Sequence, residues 1–330
     1  MTTTTVPSQL EQFSIAITAG LNRLDLHKQK PIGLYEPASY LMNLGGKRMR
    51  PALVLAAYAL FKDNFEAALP QALAVELFHN FTLAHDDIMD DAPYRRGKAT
   101  IHTKWNLNTG ILSGDLIMIK AYEELIKCPT NQLPEILKVF NQTAIDVCEG
   151  QQLDVDFETS NEVSIEDYLK MISLKTAALL DGSLKIGAMR ADASAAEIAL
   201  IGDFGMNLGI AFQLQDDILD AYGDPKRFGK QVGGDIIANK KTYLLLTALQ
   251  LANTEQLNAL HELLNQSINP EEKVEKTLSV FYAIGVKEHA LNAMNSYYKK
   301  AEKALALIGV DEARKATLHT ILNSLRVRDI

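Results

Sequence analysis

The chain has 330 residues, 47% of them apolar and 22% charged, ordinary proportions for a soluble globular protein with ample core. Its 33 basic and 41 acidic side chains leave a net charge of −8, which disfavours nucleic acid as a partner and requires any anion site to be built from a few well-placed cations. Cys128 and Cys148 form neither a disulfide framework nor a metal spacing, Met1 to Pro7 lack the basic and apolar parts of a signal peptide, and no apolar run reaches the length of a membrane span. The expected location is the cytoplasm, with no transmembrane segment.

Helical period dominates from the start. Segments from about Ser8 to His27, Pro37 to Phe61, Glu66 to Asp91 and Asn108 to Lys127 read as helices. Further ones run from Leu133 to Asp156, Ser164 to Arg190, Ala195 to Tyr222, Ile237 to Leu251, Glu255 to Asn265, Pro270 to Ala283, Val286 to Ile308 and Asp311 to Arg326. Sustained alternation of β-branched and polar residues is missing, as are Asn-Gly hairpins and repeats of solenoid period. The expected fold is all-α: a single large helical bundle, one domain over 1–330.

In chain order, the first chemical signal is Gly45-Gly46-Lys47-Arg48-Met49-Arg50-Pro51, where cations sit in a glycine turn that lets backbone N–H groups approach an anion. It is not a Walker loop, because the Gly-Lys-Ser/Thr half is missing. His79 follows on a helix that runs into Asp86-Asp87-Ile88-Met89-Asp90-Asp91 and stops before Pro93. His79 lies seven residues before Asp86, on nearly the same face. Acids at a helix C-terminus oppose the macrodipole at about 0.3–1 kcal/mol per charge, so a cluster there points to a cation it binds. Arg95-Arg96-Gly97-Lys98 comes next, and guanidinium forks suit phosphate. Lys175-Thr176 interrupts a helical segment at a place expected to face a polar cavity. A second Asp-Asp-x-x-Asp, Asp216-Asp217-Ile218-Leu219-Asp220, follows Gln213 and precedes a glycine-rich stretch with Lys230, Asp235 and then Lys240-Lys241-Thr242. Two carboxylate clusters for hard divalent cations and several cations for phosphate oxygens are the equipment for a diphosphate held through Mg²⁺, with an apolar remainder.

These signatures, with Gly150-Gln151-x-x-Asp154 between them, occur in the order that resembles the trans-isoprenyl diphosphate synthases of the polyprenyl synthetase family, short-chain type. The similarity extends from roughly Tyr40 to Thr242. It implies a helical bundle of the isoprenoid synthase type with a central active-site cavity. It also implies head-to-tail (1′-4) condensation of isopentenyl diphosphate with an allylic diphosphate (dimethylallyl, geranyl or farnesyl), in a homodimer with three Mg²⁺ per active site. By the resemblance, Asp86, Asp87, Asp90, Asp216, Asp217 and Asp220 hold the metals, Asp216 foremost in the second set. Arg95, Lys175, Lys230 and Lys240 contact the allylic diphosphate. Lys47, Arg50, His79 and Arg96 bind isopentenyl diphosphate, and Thr176 and Gln213 turn oxygens toward the developing cation. Asp91 has no counterpart role, and the basic C-terminal tail is reduced to Arg326 and Arg328.

The resemblance implies mechanism as well. Ionisation of the allylic C–O bond is followed by attack of the isopentenyl double bond and loss of a proton to the departed diphosphate. A class I terpene cyclase is the nearest alternative, but it would lack the Lys47/Arg50 site. A non-catalytic regulatory subunit would be expected to have lost aspartates. Phe81, five positions before Asp86, lies roughly 6–8 Å down the helix and occupies the place of the product-length floor in similar synthases. The expected product is geranylgeranyl diphosphate, ahead of farnesyl diphosphate.

Overall fold

The computed structural model describes residues 8–160, 162–223, 233–265 and 268–327. It divides into two compact units, one of Met1–Phe140, Ser183–Ala199 and Gly309–Leu318, the other of Asn141–Gly182, Leu200–Ile308 and His319–Ile330.

The first unit opens with α1 (Gln9–Asn22), started by a capping box between Ser8 and Glu11. The single expected helix over 37–61 is two, α2 (Ile32–Met42) and α3 (Met49–Ala59). The break is the glycine turn: Gly45, Gly46 and Arg48 all have positive φ, which ends one helix and begins the next. The long α4 (Leu69–Met89) packs against α1, α3 and α6 (Leu107–Leu125), with Leu77 and Phe78 at its buried centre. Gly110 and Gly114 let α6 come close to α4, because a Cβ there would meet Ile88 or His85 within 2.8 Å. Between α4 and α6 lie a two-residue antiparallel ladder, β1 (Tyr94–Arg95) and β2 (Lys98–Ala99), and the short α5 (Ile101–Lys104). Arg96 and Gly97, its two loop residues, both have positive φ, as a type I′ turn demands.

The second unit takes α7 (Leu133–Thr159) from Asn141 onward. The expected helix over 164–190 is interrupted: α8 (Ile165–Ile172) leads into a π turn at Ser173–Ala177 and then α9 (Ala178–Arg190). The helix α10 (Ala195–Tyr222) has the bounds the sequence predicted. The short α11 (Gly234–Ile237), α12 (Tyr243–Leu251), α13 (Thr254–Asn265), α14 (Pro270–Ile284), α15 (Val286–Leu307) and α16 (Glu312–Arg326) complete the chain. By length and composition alone α10 is apolar enough to cross a membrane, a test that the core helix of a globular protein also passes. Its longest uncharged stretch runs only from Phe204 to Gln215. Phe204, Leu208, Ala211, Leu214 and Ile218 are all at 0% exposure, which is core packing.

Candidate active site

The carboxylates of the first cluster stand on the last turn of α4. This helix closes with a Schellman motif: Ala92 N–H donates to Asp87 O at 2.9 Å and Asp91 N–H to Ile88 O at 3.2 Å. Asp91 is the left-handed residue of that motif, φ 47°, and its side chain is fully exposed. Asp87, by contrast, is 2% exposed. The ladder carries Arg95 back over the cluster, where Nε donates to Asp87 Oδ1 at 2.7 Å and Nη2 lies 3.4 Å from Asp86 Oδ2.

Behind the carboxylates the same ladder places Arg96 on the glycine turn. Its guanidinium donates to Gly45 O and fills the space a Cβ at Gly46 would need. From the other side of the turn Arg50 Nη1 meets His79 Nε2 at 3.1 Å. Burial, then the charges of Arg50, Arg96, Arg95 and Arg48, hold the imidazole well below its ordinary titration range. His79 is therefore neutral, with Nε2 accepting from Arg50. The structure thus gathers Arg50, His79 and Arg96 into one cationic cradle, and the exposed Lys47 lies on the same turn. Arg48 is engaged elsewhere, donating to the buried Glu76 and to Met42 O and so tying the turn to α4.

In the second unit the π turn carries Lys175 and Thr176 into a cavity of about 770 Å³. Two glycines make room for the turn. A Cβ at Gly150 of α7 would lie 2.2 Å from Lys175 N, and one at Gly209 of α10 would lie 2.5 Å from Ala177 Cα. One turn beyond Gly150, Asp154 pairs with the Lys175 ammonium, so the Gly-Gln-x-x-Asp spacing has a physical reason. Gln213, Asp217, Asp235 and Lys240 line the same cavity.

The second cluster is not uniform. Asp217 Oδ2 accepts from the Tyr168 hydroxyl and, at 3.4 Å, from Tyr243 N–H, while Oδ1 accepts from Gln213 Nε2 at 3.2 Å. Burial and the Asp235 carboxylate push its pKa up to about 7 against the pull of those donors. Asp220 Oδ2 accepts from Asp235 N–H at 2.9 Å, and its carbonyl accepts from Gly233 N–H. Lys241 donates to Phe157 O and Glu158 O at the end of α7, and Thr242 caps α12. Arg326 pairs with Glu302 at 2.9 Å over the Tyr298 ring. Lys230 and Arg328 lie outside the described residues. Sequence reasoning passed over Tyr168, which only an aromatic seven residues ahead of Lys175 could have signalled.

Comparison with known proteins settles the family. Residues 32–281 match the polyprenyl synthetase family. The chain belongs to it. A short chain isoprenyl diphosphate synthase of Methanocaldococcus jannaschii is 40% identical over 78% of this chain and 79% of its own. A geranylgeranyl diphosphate synthase of Sulfolobus acidocaldarius is 37% identical over 82% of this chain and 83% of its own. The crystal structure of a geranylgeranyl pyrophosphate synthase superposes with a TM-score of 0.92 at 42% identity, covering 98% of this chain and 100% of that one. The fold is accordingly the all-α isoprenoid synthase fold, and this member of the family is a prenyltransferase.

The donors suit the Mg²⁺ that the family implies. Among the described residues no group of three or more acidic, histidine or cysteine side chains closes into a ready metal cage. Mg²⁺ asks for none: it takes one or two carboxylates and completes its octahedron with phosphate oxygens and water. Asp86 and Asp90 on α4 and Asp216 on α10 offer carboxylate oxygens of that kind.

Proposed function

We propose that the chain condenses isopentenyl diphosphate head to tail (1′-4) with an allylic diphosphate to give short all-trans products, geranylgeranyl diphosphate foremost. We read the whole of 1–330 as one polyprenyl synthetase domain acting in the cytoplasm. The observation that carries the reading is the cationic cradle around a neutral His79, a few residues from carboxylates that Arg95 already touches. The relatives' names, short-chain and geranylgeranyl diphosphate synthases, support the substrate class.

In this reading Asp86, Asp87 and Asp90 would hold Mg²⁺ for the allylic diphosphate and Asp216 a further Mg²⁺, with Asp217 and Asp220 in its support. Three Mg²⁺ per site, when bound, neutralise charge on the leaving diphosphate. Arg95, Lys175, Lys240 and Lys230 donate to its oxygens as the C–O bond breaks. The Thr176 hydroxyl and the Gln213 amide oxygen present the negative ends of their dipoles to the allylic cation, in a site fixed before the reaction begins. Lys47, Arg50, His79 and Arg96 hold the second diphosphate, so that the isopentenyl double bond meets the cation at one carbon. Its proton leaves to the departed diphosphate. Phe81, edge-on to His85 at 4.7 Å between centroids, forms the floor under the growing chain.

Labelled isopentenyl diphosphate, an allylic primer and Mg²⁺ test the proposal. Elongated linear diphosphates are expected, cyclic hydrocarbons would make the chain a cyclase, and no turnover would overturn the reading. Asp86→Ala and Asp216→Ala should each lower turnover by about 10²-fold or more while helix content survives. Near-normal turnover in both would remove the metal assignment.

A further inference from the structure

Tyr168 has no place among the residues assigned above, yet it sits under them. Its side chain is 3% exposed at the α8 edge of the cavity. Its hydroxyl donates to Asp217 Oδ2, and Oδ1 of the same carboxylate accepts from Gln213 Nε2 at 3.2 Å. A glutamine amide is nearly symmetric in shape, so its two ends are told apart only by what they meet. The end of Gln213 facing Asp217 is its nitrogen, which donates to Oδ1, and Oδ2 is already taken by the Tyr168 hydroxyl. The amide oxygen is then turned to the other side, where it accepts from the Thr176 hydroxyl at 3.1 Å. Tyr168, Asp217, Gln213 and Thr176 form one directed chain of hydrogen bonds, and all four line the cavity.

We propose that Tyr168 is a positioning residue for the condensation: by fixing Asp217 it holds the Gln213 amide with its oxygen, not its nitrogen, presented beside Thr176. The inference rests on the roles given above to Thr176 and Gln213. An amide turned the other way would offer N–H donors to a developing cation, reversing the sign of the interaction. Tyr243 N–H, at 3.4 Å, is the other donor on Asp217 Oδ2, so loss of the phenol leaves the carboxylate held from fewer sides.

The test is Tyr168→Phe, read by steady-state kinetics and by the side-chain amide resonances of Gln213 in ¹⁵N-glutamine-labelled protein without substrate. A kcat lowered roughly tenfold is expected, with both KM values within about twofold, as for a misplaced rather than a missing group. The Gln213 resonances should shift or broaden. Asp217→Asn is the second variant. It leaves Tyr168 in place but offers Gln213 an N–H where it had an acceptor, so the same resonances should move even if Tyr168→Phe does not fold. Unchanged kcat in a folded Tyr168→Phe, an effect confined to KM, or resonances unmoved in both variants would overturn the proposal. Wild-type protein without condensation activity would overturn the functional reading, and the positioning role with it. The resonances would then still report whether the four side chains are coupled.

Discussion

Asp91 is one residue beyond a metal-binding pattern and serves the backbone instead. A left-handed conformation costs an ordinary side chain about 1–2 kcal/mol, and Asp and Asn are among the few non-glycine residues that visit it routinely. Asp91→Gly should therefore keep stability within about 1 kcal/mol and leave turnover nearly unchanged, whereas Asp91→Leu should cost about 1 kcal/mol or more. Thermal unfolding and a turnover assay on each variant decide it: loss of activity in a folded Asp91→Gly would place Asp91 among the ligands. Phe81 supplies the other prediction at this scale. It is half-buried, its ring 5.9 Å from Phe78 and edge-on to His85, whose Nε2 reaches Ile111 O at 3.2 Å. Phe81→Ala removes the ring and leaves His85 anchored, so the product distribution should lengthen by at least one isoprene unit. Chromatography of the dephosphorylated products checks this, and an unchanged length from an active variant would move the floor elsewhere.

Among the elements, the π turn and its glycines decide what the site can tolerate. Gly150→Ala sets a methyl 2.2 Å from the backbone nitrogen of Lys175, a contact that backbone must yield to. It should cost about 1–3 kcal/mol by overpacking and disturb Lys175 and Thr176 together. Gly33→Ala on α2 is the control, because nothing lies within 4 Å of the added carbon. Calorimetry should show a loss for the first and none for the second. The helices with strong breakers were legible in the sequence: α10 begins and ends where periodicity and Gly223 place it. The π turn was not, because Ser173-Leu174-Lys175-Thr176-Ala177 holds no glycine or proline to mark a departure from the α-helix. The hairpin of Arg95 and Arg96 was too short for an alternating pattern, though Gly97 marked its turn. Motifs brought the right cations to attention without sorting them. Nothing in the spelling of Lys47-Arg48-Met49-Arg50 tells that Arg48 is spent on Glu76 while Arg50 meets His79.

At the scale of the molecule the outer face of α6 carries an apolar stripe: Leu107 is 53% exposed, Leu112 57%, Ile119 59% and, just past the helix end, Ile126 54%. Leu112, Ile119 and Ile126 recur every seven residues, the spacing of a seam between helices. Contiguous exposed apolar residues mark a surface that another protein covers, and we take the homodimer expected of the family to use this one. Leu112→Glu with Ile119→Glu should convert a dimer to a monomer of 36.5 kDa by light scattering. A monomeric wild type, or a dimer that survives both substitutions, would remove α6 from the interface.

The wide turn at 173–177 also sets the phase of everything after it. A helix advances about 100° and 1.5 Å per residue, and a π turn absorbs one residue without advancing in step. Gly182 and Gly187 of α9 are aimed, through that offset, at Thr143 and at the carbonyl of Val54, each too close for a Cβ. Drawing the same five residues into regular α-helix would swing α9 by roughly 100° and replace those glycines with side chains that have no room, whereas deleting one residue from the turn would leave an unbroken α-helix with α9 in phase. The wide turn thus admits one more residue than a regular helix would, without turning Gly182 and Gly187 away from the neighbours they must meet closely.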